Sequence, residues 1–146
     1  TGPCALSRQV KVVFDTNIFV SALTLPGGQA DKAILGAAEG RFELAISKPI
    51  IHEVLGVLAR KFARDAEELA RVAVFLSDLA EVVQPRNALH VLRDEPDNRI
   101  LECALTARAG LIVTGDRAML ELGAYKEARI MTLREFLQTT SRCARQ

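Results

Sequence analysis

The sequence predicts an α/β fold in which helices cover both faces of a parallel sheet. Short apolar segments alternate along the chain with longer segments whose apolar residues recur at helical spacing. The short segments are apolar throughout, which is typical of strands buried on both faces. With 146 residues, 49% of them apolar and 25% charged, the composition fits one globular domain and excludes a disordered or fibrous chain. No apolar run approaches the roughly 20 residues of a membrane span.

The first half of the chain is expected to contain three strands and four helices. The strands are predicted at residues 10–14, 42–46 and 81–83. The helices are predicted at 16–23, at 29–39 with Ala33, Ile34, Ala37 and Ala38 facing inward, at 48–60 and at 66–79. Ser47, closely followed by Pro49, is the expected N-cap of the third helix. Asp65 and Glu68 form a capping box that predicts the start of the fourth.

The second half is expected to contain two strands and three helices. The strands are predicted at residues 111–113 and 128–131. Asp97 is the expected N-cap of a helix that ends at Gly110, and a short helix holds Met119 and Leu120. Thr132 and Glu135 form a second capping box, which begins the final helix. We expect a tag remnant or frayed terminus at 1–9, the domain at 10–138 and a flexible tail at 139–146.

Cysteine content and net charge narrow the expected environment of the protein. Cys4, Cys103 and Cys143 are an odd number and form no C-x-x-C motif, so they are interpreted as thiols of a reducing compartment. No secretory signal is visible, and the predicted location is the cytoplasm. The net charge of +1 gives the chain no overall basic character, so nucleic-acid binding would depend on local basic patches. No nucleotide-binding glycine loop and no nucleophile elbow occurs.

Acidic residues from four distant segments are expected to meet at one edge of the sheet. Asp15 and Asp116 directly follow predicted strands, and the carboxyl ends of parallel strands share an edge. Glu53 lies one turn into the helix after the second strand, and Asp97 begins the helix that leads to the fourth strand. Taken singly, Asp97 and Asp116 are explained as well by capping or turn formation. Their convergence favours a functional site.

Four carboxylates in one pocket predict a bound cation. Like charges about 4 Å apart at an effective dielectric constant near 20 repel by about 4 kcal/mol for each pair. Either the carboxyl pKa values rise or a cation neutralises the charge. An all-oxygen ligand set favours Mg²⁺ or Mn²⁺, and such a site suits hydrolysis of phosphodiester bonds.

Four segments also carry a family resemblance. In chain order they are VVFDTNIFVSAL, SKPIIHEVLGVL, DEPDNRILECAL and LIVTGD. Together they resemble the PIN domain, and closely the bacterial PIN toxins of toxin–antitoxin pairs (VapC-like), from about residue 10 to 137. The resemblance implies a three-layer α/β/α sandwich and a Mg²⁺- or Mn²⁺-dependent endoribonuclease that leaves a 5′-phosphate and a 3′-hydroxyl. It also implies an antitoxin partner and a homodimer.

The resemblance assigns roles to individual residues. The four family acids, which serve as catalytic residues and metal ligands, match Asp15, Glu53, Asp97 and Asp116. Asn17 and Thr114 match polar positions that orient those acids or the metal. Many relatives carry an additional Asp where this chain has Pro96, which leaves Asp94 as the candidate for an auxiliary ligand.

Other interpretations of the sequence stay open. A receiver-like phosphoacceptor domain also gathers acids around Mg²⁺, although a single Asp15 followed by Thr-Asn argues against it. A non-catalytic PIN scaffold that only binds a partner is the other alternative. Arg60, Lys61, Arg64 and Arg71 form a basic run that is explained either by a solvated helix face or by contact with the RNA backbone.

Overall fold

The computed structural model describes the backbone of residues 10–145 and the side chains of residues 10–140. The expectation for residues 1–9 lies outside this part, as do Cys4 and the side chain of Cys143. The described strands are Lys11–Phe14 (β1), Glu43–Ser47 (β2), Glu81–Val83 (β3), Leu111–Val113 (β4), Ala124–Tyr125 (β5) and Ala128–Met131 (β6). The described helices are Thr16–Thr24 (α1), Gln29–Ala38 (α2), Lys48–Phe62 (α3), Ala66–Leu79 (α4), Glu95–Ala107 (α5), Arg117–Leu122 (α6) and Leu133–Arg145 (α7).

The strands form one mostly parallel sheet in the order β3-β2-β1-β4-β6-β5. β1 pairs in parallel with β2 on one side, where Val12 faces Leu44, and with β4 on the other, where Val13 faces Ile112. The predicted α/β class is confirmed. β5 was not predicted, because two residues are too few to show a periodic pattern, and it pairs antiparallel with β6 at the sheet edge.

This strand order places a topological switch point between β1 and β4. The chain moves from β1 to β2 and β3 in one direction, then crosses back to β4 on the other side of β1. In parallel sheets of this kind a crevice opens at the carboxyl ends of the two strands where the order reverses. Asp15 follows β1 and Asp116 lies three residues beyond the end of β4, so both reach that crevice.

Four phenylalanine rings join the sheet to the first and last helices. Phe14 of β1 packs against Phe19 and Phe42, with ring centroids 5.7 and 5.9 Å away. Phe136 of α7 contacts Phe14 and Phe42 edge-on, at 5.6 and 5.0 Å, and is fully buried. The capping box of Thr132 and Glu135 is present. The helix continues to Arg145, so the predicted domain boundary at residue 138 lies inside α7.

The other helix starts agree with the local sequence signals except in α5. Ser47 accepts a hydrogen bond from the amide of Ile50 (3.4 Å), and Asp65 accepts one from the amide of Glu68 (2.9 Å). The N-cap of α5 is Asp94, so the prediction of Asp97 as N-cap is wrong. Pro96 fits the first helical turn, where its missing N–H is not needed, and this sets Asp97 inside that turn.

Two smaller expectations also need correction. α5 ends at Ala107, before Gly110, because Arg108 takes the left-handed conformation (φ 56°) that closes the helix. On α2, Ala37 is only half-buried and Ala38 is exposed, whereas Ala33 and Ile34 are buried as predicted. Among the helices of residues 10–145, none has the length and apolar character that crossing a bilayer requires.

Candidate active site

Asp15 is a buried carboxylate at the carboxyl end of β1. Its amide donates to the carbonyl of Val113 (2.9 Å), which continues the pairing between β1 and β4 by one residue. It is also the N-cap of α1, where Oδ1 accepts from the amide of Asn17 (3.4 Å). Burial raises the pKa of Asp15, and the neighbouring charge of Asp116 adds to that rise, whereas the hydrogen bond from Thr114 opposes it.

Thr114 links the two acids at the switch point. Its side chain is fully buried, and its hydroxyl donates to Oδ2 of Asp15 at 2.6 Å. The same oxygen accepts from the amide of Asp116 at 3.0 Å. Asp116 in turn caps α6 through a hydrogen bond from the amide of Met119 to Oδ2 (3.0 Å). One hydroxyl therefore holds the Asp15 side chain and the Asp116 backbone together.

Asp97 adds a third carboxylate from the first turn of α5. It is 6% exposed, and its Oδ2 atom is buried without a hydrogen-bond partner within the described part of the chain. Burial raises the pKa of Asp97 to about 7, with further contributions from the charges of Asp116, Asp15 and Asp94. A buried carboxylate oxygen without a partner is rare in folded proteins, because the lost hydration is not replaced.

A cleft of about 460 Å³ contains all four predicted acids. Glu53 is half-buried on α3 and lines this cleft, and the structure gives its carboxylate no hydrogen bond to the three aspartates. Asn17 also lines it with an exposed side chain, and only its backbone amide contacts Asp15. A larger cavity of about 640 Å³ lies between α2 and α7 and contains none of the four acids.

The cleft offers carboxylate oxygens, the ligand type that divalent cations such as Mg²⁺ prefer. The Asp97 oxygen that has no partner among residues 10–140 and the raised pKa values of Asp15 and Asp97 mark a place where positive charge is favourable. Among residues 10–140, no three His, Cys, Asp or Glu side chains are arranged so that they could hold a metal ion together. A site in which the protein supplies only one or two carboxylate ligands agrees with the favourable position for positive charge and with the missing three-residue group. Mg²⁺ is commonly held in this way, while water or a substrate phosphate completes the coordination.

Three residues of α5 hold the preceding loop in place, and the sequence analysis did not identify them as important. Asn98 is fully buried and exchanges two 2.8 Å hydrogen bonds with the backbone of Leu92. Glu102 accepts from the amide of Leu89 (2.8 Å) and pairs with Arg99 (2.8 Å). These contacts fix the loop that carries Asp94 into the cleft. In the sequence, the position of Asn98 next to Asp97 is the signal that could have pointed to a role at the site.

The structure divides the predicted basic run. Arg60 and Lys61 line the acidic cleft, whereas Arg64 pairs with Glu68 (3.0 Å) and does not reach it. Arg71 pairs with Glu67 (3.2 Å) in the same way. Such ion pairs are typical of a solvated helix face, and contact of Arg64 with RNA stays a prediction. Arg117, which follows Asp116, lines the cleft and was not predicted.

Comparison with known proteins identifies the family. A family model described as "PIN domain" matches residues 11–118. The chain belongs to the PIN domain family. This assignment replaces the receiver-like alternative. An uncharacterized protein of Methanocaldococcus jannaschii is 30% identical over 118 residues, which cover 78% of this chain and 76% of that protein.

Solved structures share the fold of this PIN domain. VapBC-1 from nontypeable Haemophilus influenzae matches with a TM-score of 0.61 and 14% identity, over 86% of this chain and 99% of that one. VapBC2 from Rickettsia felis, solved bound to a DNA fragment from its promoter, matches with a TM-score of 0.57 and 14% identity, over 84% of this chain and 98% of that one. The predicted α/β/α arrangement with a central parallel sheet is confirmed.

Proposed function

We propose that this PIN domain is a metal-dependent endoribonuclease that hydrolyses RNA phosphodiester bonds, and that it is the toxin of a toxin–antitoxin pair. The observation that carries the proposal is the buried Oδ2 of Asp97, which has no hydrogen-bond partner among residues 10–140 and lies among the charges of Asp15 and Asp116. A cation there offsets the mutual repulsion of the acids and allows a phosphate to approach. Family membership supports the nuclease activity.

The four acids divide between two proposed roles. Asp15, Asp97 and Asp116 are the candidate ligands for Mg²⁺ or Mn²⁺, directly or through water. When bound, the ion supplies Lewis-acid stabilisation of the phosphate and lowers the pKa of a coordinated water. Glu53, across the cleft on α3, helps to bind the ion and orients the attacking water. In the proposed hydrolysis the water oxygen would bond to phosphorus as the bond to the 3′ oxygen breaks, and a proton from the water would pass to that oxygen, which leaves a 5′-phosphate and a 3′-hydroxyl.

The surrounding polar groups hold this arrangement in place. Thr114 keeps the Asp15 carboxylate in one orientation by donating to Oδ2, and Asn17 contributes a backbone donor to Oδ1. Arg60 and Lys61 supply positive charge at the cleft for the RNA backbone, since a polyanion approaching four acids needs compensating cations.

Two protein partners are part of the proposal. An antitoxin that binds this domain would control the nuclease, a role that the shared fold with the VapBC proteins supports. A second copy of the chain is the other proposed partner. Analytical ultracentrifugation of the purified chain, alone and with its antitoxin, tests both assemblies.

Cleavage of a mixed RNA pool tests the activity. The wild type is incubated with Mn²⁺ or with EDTA, and the Asp15→Asn variant is incubated with Mn²⁺. The cut ends are then sequenced. We expect cleavage that requires both the ion and Asp15, in a variant that still folds cooperatively, because Thr114 can still donate to the amide oxygen. Asp78→Asn, an exposed acid on α4, serves as the matched control. Metal binding without cleavage under every ion would favour the non-catalytic scaffold.

A further inference from the structure

The guanidinium group of Arg60 lies over Gly56, one turn earlier on α3. A Cβ placed on Gly56 would lie 2.8 Å from Nη1 of Arg60, 3.6 Å from Cζ and 3.7 Å from Nη2. These three are the nearest atoms to that position, so the space left by the missing side chain is occupied by Arg60 and not by a neighbouring helix. Helical side chains point toward the N-terminus, which brings residue 60 back over residue 56.

Gly56 is an unfavourable residue for the interior of a fifteen-residue helix. Glycine there lowers helix stability relative to alanine, because it loses more backbone freedom on folding. No turn or cap explains its presence, since α3 runs unbroken from Lys48 to Phe62. The group that would have to move to make room for a Cβ is the Arg60 guanidinium, the end of a flexible side chain, so an alanine here would shift Arg60 rather than disturb the packing of the helix.

Arg60 belongs to the face of α3 that borders the acidic cleft. The residues of α3 that line the cleft are Glu53, Val57, Arg60 and Lys61, which recur at the spacing of one helix face. No acid within residues 10–140 lies within ion-pair distance of Arg60, in contrast to Arg64 and Arg71. Its charge is therefore available to a ligand.

We propose that Gly56 is a positioning residue that seats the Arg60 guanidinium at the cleft, where it binds an RNA phosphate adjacent to the bond that is cleaved. The inference rests on the proposed ribonuclease function and goes beyond it by naming the residue that orients the phosphate contact. A planar guanidinium binds phosphate through two parallel hydrogen bonds, and the strength of this interaction depends on the orientation of the guanidinium. A guanidinium that already lies at the cleft before RNA arrives loses less conformational freedom on binding than one that must first be brought there.

A double-mutant cycle tests the proposal. Gly56→Ala, Arg60→Ala and the double variant are prepared in the wild-type and Asp15→Asn backgrounds. Binding of a fluorescein-labelled single-stranded RNA is measured by anisotropy in the Asp15→Asn background, over a series of salt concentrations. KM and kcat are measured in the cleaving background. Melting temperatures report on folding, and Arg71→Ala is the control for loss of an exposed helical arginine.

We expect Arg60→Ala to weaken RNA binding on the order of tenfold and to reduce the salt slope by about 0.7, the value for one lost contact with a single strand. Gly56→Ala keeps the charge of Arg60 but displaces its guanidinium, so we expect it to weaken binding by a smaller factor, with a smaller change in the salt slope. The double variant binds no more weakly than Arg60→Ala alone. Gly56→Ala raises KM more than it lowers kcat and melts at or above the wild-type temperature, because alanine favours the helix. Arg60→Lys restores part of the binding.

Two results overturn the proposal. One is a Gly56→Ala variant that binds RNA as the wild type does, and the other is an equal effect of Gly56→Ala with and without Arg60. These outcomes are distinguishable from failure of the proposed function. If the wild type cleaves RNA and the cycle shows no coupling, only the positioning role is wrong. If the wild type never cleaves RNA, the anisotropy measurements still decide whether Gly56 acts through Arg60.

Discussion

The hydroxyl of Thr114 donates a 2.6 Å hydrogen bond to Oδ2 of Asp15, although the two residues are 99 positions apart in the chain. The parallel pairing of β1 with β4 makes this contact possible, because it aligns the ends of the two strands. The same hydroxyl accepts from the amide of Asp116. Thr114 thus fixes two of the three aspartates that surround the candidate metal site.

Replacing this hydroxyl is expected to affect stability and activity together. Thr114→Val keeps the shape but removes the donor to Asp15 and the acceptor for the amide of Asp116. We expect the free energy of unfolding to fall by about 1–3 kcal/mol, the cost of leaving buried polar groups unpaired. RNA cleavage should fall at least tenfold. Urea denaturation and a cleavage assay measure the two effects, and Thr114→Ser, which keeps both hydrogen bonds, should resemble the wild type.

The stability of the metal-free protein should depend on pH through Asp97. Its pKa rises from the ordinary 3.8 to about 7 on folding, chiefly because of burial, so between these values the folded state binds the proton more tightly than the unfolded state. The stabilisation is complete below pH 4 and is lost as the pH rises through 7. The raised pKa of Asp15 acts in the same direction.

Asp97→Asn removes this dependence. In the presence of EDTA we expect the variant to melt several degrees above the wild type at pH 8, and this difference to shrink at pH 5, where the wild-type carboxyl is largely protonated. Thermal melts at the two pH values provide the measurement. A difference in melting temperature that is the same at both would show that the carboxylate carries no penalty in the cleft.

The loop before α5 should depend on Asn98. Asn98→Ala removes two buried 2.8 Å hydrogen bonds to the backbone of Leu92. We expect a loss of about 2–3 kcal/mol in the free energy of unfolding and faster amide hydrogen exchange across residues 84–94. Asn87→Ala, at an exposed position in the same loop, should change neither quantity. Equal exchange rates in the two variants would contradict the role of Asn98 in holding this loop.

The final helix should be an integral part of the domain. Phe136→Ala removes a fully buried ring that packs edge-on against Phe14 and Phe42. We expect the free energy of unfolding to fall by about 3–5 kcal/mol, as for other large-to-small substitutions in a core. Phe75→Ala, at a site that is 41% exposed on α4, should be much less destabilising. Urea denaturation of the two variants makes the comparison.

Local signals in the sequence predicted most of the fold. Apolar segments located five of the six described strands, and the capping residues Ser47, Asp65 and Thr132 located three helix starts, because these signals act between residues at most four positions apart. β5 was missed because its two residues are too few to show a pattern. The start of α5 was misplaced because several residues of DEPDN can cap a helix, and the N-cap is Asp94.

By itself, the sequence determined that Asp15 and Asp116 follow buried strands, and parallel pairing then brings them to one edge of the sheet. Only the tertiary structure decided how the acids are held. The Thr114 hydroxyl contacts Asp15, and the β1–β4 switch point opens the cleft. One buried oxygen of Asp97 finds no hydrogen-bond partner in the described part of the chain. It also decided that Arg60 reaches the cleft while Arg64 pairs with Glu68. Such contacts depend on strand order and on helix rotation, which are set by packing across the whole chain rather than by the residues beside each position.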